Sequence, residues 1–110
     1  MDFLYNCLWT EARGESLKGQ IFVLNVIDNR LKDYRWPSTL QAVIEQPYQF
    51  SISNYTTEIP KLRFLTEMYL EGFIPKITRA THFHTVTSSP YWSFRMEYIE
   101  TVGNHKFYRE

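Results

Sequence analysis

Apolar residues recur at Leu17, Ile21, Leu24, Ile27 and Leu31, in steps of four and three. That spacing commits residues 17–31 to one helix with a continuous apolar stripe. Ser16 stands where an N-cap belongs. Upstream, Phe3, Leu4, Cys7 and Leu8 repeat at the same spacing, so residues 3–12 form a first helix that Gly14 ends. Downstream, Trp36-Pro37 breaks the chain. Ser38 with Gln41 three residues later forms a capping box for a short helix through Ile44, which Pro47 terminates. Residues 48–57 are polar and aromatic and read as a loop. Thr57 and Pro60 open a third substantial helix, with Leu62, Leu65 and Tyr69 on one face and Gly72 as its C′ residue.

Beyond Pro75 the pattern changes. Ala80-Thr81-His82-Phe83-His84-Thr85 is rich in threonine and aromatics and reads as a strand. Pro90 interrupts. Met96 to Thr101 fits a strand or a short helix equally well. Gly103-Asn104 supplies a turn, and His105 to Tyr108 a last strand. With no repeat and no linker, residues 1–110 are expected to form a single α+β domain: N-terminal helices followed by a small antiparallel sheet.

Charge narrows the partners. There are 12 basic and 12 acidic side chains, so no basic excess points to nucleic acid. No polybasic run points to an anionic membrane. The amino terminus has no basic region followed by an apolar run, so neither a leader peptide nor stable membrane insertion is expected. The single Cys7 rules out an internal disulfide and reads as a small core residue. Aromatics reach 17%, enough to line a groove as well as a core. Nothing suggests more than a monomer.

Glu11 is the acid that stands out. It sits in the last turn of the first helix, where the helix dipole disfavours ionisation, and Trp9 can desolvate it further. A glutamic acid held protonated is what cleavage of a glycosidic bond requires. The plainer reading is a solvated helix-end acid paired with an arginine. Glu15 is a second acid four residues on, with the alternative role of stabilising the dipole of the following helix.

The chain also resembles the catalytic domain of the spore-cortex-lytic, cell-wall hydrolase family. The matching residues are Glu11-Ala12-Arg13-Gly14-Glu15, Gly19-Gln20, Asn29-Arg30, Pro37, Gln46-Pro47 with Gln49-Phe50-Ser51, Ala80-Thr81-His82-Phe83, Pro90 with Trp92, and Gly103-Asn104-His105-Lys106-Phe107-Tyr108. They keep the family's order over nearly the whole chain. The resemblance implies a lysozyme-like or lytic-transglycosylase-like fold. It implies an enzyme that cleaves peptidoglycan glycan strands between N-acetylmuramic acid and N-acetylglucosamine, with Glu11 as catalytic acid. One convincing carboxylate favours a lytic transglycosylase over a two-carboxylate muramidase. No cofactor and no metal is needed.

Three departures stand out. Asp28 replaces a usual apolar residue before Asn29-Arg30 and suggests a solvated face or a second acid at the groove. Arg79 stands where glycine is common. Secreted members of the family carry a leader and often a wall-binding module. Their lack here suggests a minimal lysin made in the cytoplasm for use at the bacterial wall, of the kind a bacterial virus encodes.

Sugars stack on aromatic rings and present hydroxyls. Trp9, Tyr48, Phe50, Trp92 and Tyr108 are candidate walls, and Phe50 and Trp92 gain weight from the family pattern. Gln49, Ser51 and Asn104 are candidate partners for N-acetyl groups, with turn chemistry as the alternative for Asn104. Glu15, His82 and His105 complete the candidate substrate contacts. Two rivals remain. His82, His84 and His105 are a possible zinc set, as in a peptidoglycan amidase. An aromatic, neutral domain can also hold glycan without cutting it. A thiol-protease set of Cys7, Asn104 and His105 has no supporting motif.

Overall fold

A computed structural model of the chain describes residues 2–46 and 57–110. Four helices come first: α1 (Phe3–Ala12), α2 (Leu17–Leu31), α3 (Leu40–Glu45) and α4 (Pro60–Leu70). Three strands follow, β1 (His82–Thr85), β2 (Glu97–Val102) and β3 (His105–Arg109), with a short 3-10 helix at Tyr91–Arg95 between the first two. The sheet is antiparallel in the order β1-β3-β2. The expected α+β layout is the one observed.

The bounds of α1 and α2 match the sequence reading. Ser16 caps α2 by accepting from the Gly19 amide. Pro60 occupies the first turn of α4, where its missing N–H costs nothing, and Gly72 follows at φ +83°. The ambiguous stretch after Pro90 resolves into the 3-10 helix and β2. The expected loop lies almost wholly outside the described residues.

Three details differ. The N-cap of α3 is Thr39, whose hydroxyl accepts from the Ala42 amide, so the Ser38–Gln41 capping box does not form. Gln41 reaches Glu45 instead. β1 begins at His82 rather than Ala80, because the Ala80 and Thr81 carbonyls accept from Asn29 and Arg30 of α2. Lastly, the stripe on α2 is only part of its buried surface. Every residue from Phe22 to Asp28 is buried, whereas Leu17 is 50% exposed. The middle of α2 is enclosed by its neighbours, so burial there no longer follows one helical face.

α2 spans the core side of the sheet. Near its start, Glu15 meets the β2–β3 turn. In its middle, Phe22 packs edge-on against Phe107 of β3, with ring centroids 4.8 Å apart. At its end, Arg30 Nε donates to the Thr81 carbonyl at 2.7 Å. Leu4, Tyr5, Cys7 and Leu8 of α1, Val43 and Ile44 of α3, and Leu62 and Leu65 of α4 close the same core. A strap at 75–80 is pinned to α2 by Asn25 and Asn29.

Asp28 has neither of the roles expected of it. It is buried at 9% exposure and receives the Tyr69 hydroxyl and the ammonium groups of Lys32 and Lys76. Burial pushes its carboxyl up, but these three partners outweigh burial and hold it below the usual carboxylate range. It is an anchor between α2, α4 and the strap. Arg79 is exposed and pairs with Glu97 of β2, while its carbonyl accepts from Arg109.

Candidate functional site

Glu11 lies one helical turn beyond Cys7 and follows Leu4, Cys7 and Leu8 along the buried stripe of α1. It is half-buried rather than solvated, so the apolar face of the helix ends in a carboxyl group. The fully buried Cys7 registers that group. Burial first, and the Glu11 carboxylate second, push the thiol far above its ordinary range. A thiol held protonated in this way is no nucleophile, which removes the thiol-protease set. Arg13 does not turn in beside Glu11. It folds back along α1, donates to the Trp9 carbonyl and lies over the Trp9 ring, 4.0 Å from its centroid.

The peptide after Glu11 is tied down from α2. The Ala12 carbonyl accepts from Gln20 Nε2 and from the Glu15 amide, each at 3.0 Å. Glu15 then crosses to the sheet. One carboxylate oxygen accepts from the Asn104 backbone amide and the other from Asn104 Nδ2, both at 3.1 Å. His105 Nδ1 lies 4.0 Å from Glu15 Oε1. Glu15, Asn104 and His105 are therefore brought together at the β2–β3 turn, with both Glu15 oxygens engaged inside the protein.

His82, Trp92 and Tyr108 form a second, separate group. The β1–β3 register opposes His82 to Tyr108, His84 to Lys106, Phe83 to Phe107 and Thr85 to His105. Opposed residues of an antiparallel pair share a face. Phe83, Phe107 and His105 thus face the core, and the ring centroids of Phe83 and His105 lie 4.9 Å apart. His82, His84 and Tyr108 face the other way. There Trp92 packs against all three at centroid distances of 5.2, 5.6 and 5.7 Å. His84 Nε2 and the Tyr108 hydroxyl are hydrogen-bonded at 2.9 Å. This is a packed aromatic layer on the sheet face opposite the helical core.

The same register dismantles the three-histidine zinc set. His105 is on the opposite face from His82 and His84, and among the described residues no three His, Cys, Asp or Glu side chains are grouped to hold a metal. Tyr48, Gln49, Phe50 and Ser51 lie outside the described residues. Gly103 is a contact residue that its own sequence neighbourhood does not mark. Its φ of +58° suits glycine, and a Cβ there would lie 2.4 Å from Glu15 Oε1. The Gly103-Asn104 pair signalled the turn, but nothing local signalled its distant partner.

His82 gives the fold a measurable pH dependence. Burial, then the nearby Arg30 and Arg35 charges, lower its pKa to about 4. The unfolded chain takes up this proton near pH 6.5, before the folded one does. Stability is therefore complete above pH 6.5 and declines as pH falls from there through about 4. For a half-buried ring the loss is roughly 1–2 kcal/mol after allowing for solvent screening. Burial lowers His105 in the same sense. Thermal melts between pH 7 and 4 should show the decline, and His82→Gln should reduce it, leaving the part that His105 contributes.

The architecture is shared with solved catalytic domains. The catalytic domain of the germination-specific lytic transglycosylase SleB from Bacillus anthracis superposes with a TM-score of 0.80, covering 97% of this chain and 91% of that one at 26% identity. The Bacillus cereus SleB catalytic domain gives the same TM-score at 25% identity, covering 97% and 87%. The spore cortex-lytic enzyme of Oceanobacillus iheyensis is 28% identical across 97% of this chain. The chain spans 40% of that relative's length. A helical lobe closed by a three-stranded sheet is thus a lytic-transglycosylase-like catalytic fold. The cell wall hydrolase family model matches residues 14–108. The chain belongs to that family. Glu11 lies just ahead of the matched segment.

Proposed function

We propose that the chain is a peptidoglycan-degrading catalytic domain that cuts glycan strands as a lytic transglycosylase. The observation that carries this reading is the close superposition, over nearly the full length of both chains, on a lytic transglycosylase catalytic domain. Glu11 is the proposed acid. It offers a carboxyl at the end of an apolar stripe on a helix whose last residue is tied to α2, just ahead of the Glu15 contact with the β2–β3 turn.

In the proposed reaction, the Glu11 carboxylic acid gives its proton to the oxygen bridging N-acetylmuramic acid and N-acetylglucosamine. The bond from that oxygen to the muramic anomeric carbon breaks through an oxocarbenium-like state. The resulting carboxylate accepts the proton of the muramic 6-hydroxyl, whose oxygen closes on the anomeric carbon. The product end is a 1,6-anhydro ring, and the acid is regenerated. One carboxyl serves both halves, and no cofactor takes part. The proposed place of action is the bacterial cell wall.

Mass spectrometry of muropeptides released from purified sacculi tests the reading. Anhydro ends are expected. Reducing ends in their place would make the enzyme a hydrolase, and free peptide stems would overturn glycan cleavage.

A further inference from the structure

Glu15 places a carboxylate where stability alone gives little reason for one. Its side chain is 7% exposed, both its oxygens accept from neutral amide donors of Asn104, and His105 Nδ1, 4.0 Å from Oε1, has its pKa lowered by burial. Removing a carboxylate from water is costly, and two amide hydrogen bonds offset only part of that cost. The surroundings are shaped to admit it. A Cβ on Gly103 would overlap Glu15 Oε1, and a Cβ on Gly19 would approach Glu15 Cβ to 3.1 Å. The contact joins positions 89 residues apart, and these carry two different parts of the fold. One is the turn after α1, whose Ala12 carbonyl is held by the Glu15 amide and by Gln20. The other is the β2–β3 turn, which leads directly into His105 on the core face.

We infer that Glu15 is a positioning residue: it clamps the β2–β3 turn against the end of α1 and so fixes the direction in which Glu11 meets the glycan. The inference rests on the proposed function. Glu15 donates no proton and touches no sugar. Its contribution is geometric, and misplacing a reacting group by about 1 Å can cost 10²-fold in rate.

The test compares Glu15→Gln, Asn104→Ala and the double variant on purified sacculi, with amide exchange measured on each protein alone. Glutamine keeps the shape but turns an NH₂ toward one of the Asn104 donors. The rate constant at saturating substrate should fall about 10- to 100-fold, with little change in the half-saturating substrate concentration. The pH profile should keep its shape. The double variant should be no slower than Glu15→Gln, because both substitutions open the same clamp. Exchange at the Ala12 and Arg13 amides should accelerate. A full rate in Glu15→Gln overturns the inference. So does loss of a limb of the pH profile, which would make Glu15 a reacting group, or a double variant slowed by the product of the two single effects, which would make the two residues independent.

If Glu15→Gln does not fold, Asn104→Ala decides, since Asn104 is exposed and its side chain is only half of the clamp. Faster exchange at the end of α1, with a slower reaction at an unchanged melting temperature, supports the clamp. Unchanged exchange and rate overturn it. A wild-type protein inert on sacculi would instead count against the proposed function, and the exchange measurement, which needs no substrate, would still decide the clamp.

Discussion

Glu11→Gln is expected to lower the rate of muropeptide release by about 10²–10⁴-fold, the range that general acid catalysis supplies, while the melting temperature stays within a few degrees of wild type. Glutamine fills nearly the same volume and retains one oxygen acceptor, so the end of the buried stripe on α1 remains packed. What it loses is the proton that the bridging oxygen needs as its bond breaks. Glu11→Asp separates reach from chemistry. It keeps the acid but draws it back by one methylene, so an intermediate loss is expected if the carboxyl must meet one specific oxygen. Release assays on sacculi, read alongside circular-dichroism melts, measure both effects. A folded Glu11→Gln protein working at the wild-type rate would leave the domain without its proposed acid. The glycan-binding alternative would then stand, because a binder has no use for that proton.

The parts of the fold legible in the sequence are those decided locally. The limits of α2 followed from Ser16 and from apolar spacing, since a cap and a helical period are written within a few residues of each other. The α3 cap falls one position beyond the residue that local chemistry favours, because Ser38 and Thr39 offer the same chemistry and only the backbone path selects between them. The face of His105 was not legible at all. Alternation places His82 and His84 together, but His105 depends on a pairing that joins strands about twenty residues apart in sequence. The same limit hid the partner of Glu15 and the anchoring of Asp28, both of which lie far along the chain. The placement of Glu11 in the last turn of α1, in line with Cys7, was legible because helix, turn and alignment are all local.

Asn25 supports the largest stability effect expected of a single polar substitution here. It is buried at 2% exposure and replaces three backbone partners along the strap. Its Oδ1 accepts from the Ile77 and Thr78 amides at 2.7 and 3.1 Å, and its Nδ2 donates to the Pro75 carbonyl at 3.1 Å. Asn25→Ala strips all three at once. Water can reach part of the strap, since Ile77 is 46% exposed, so the expected loss is about 2–4 kcal/mol rather than the full sum of three orphaned groups. For a domain of this size that is a fall of roughly 10–20 °C in melting temperature. Melts of Asn25→Ala against wild type at pH 7 measure the fall, and an unchanged midpoint would show that the strap does not depend on this side chain.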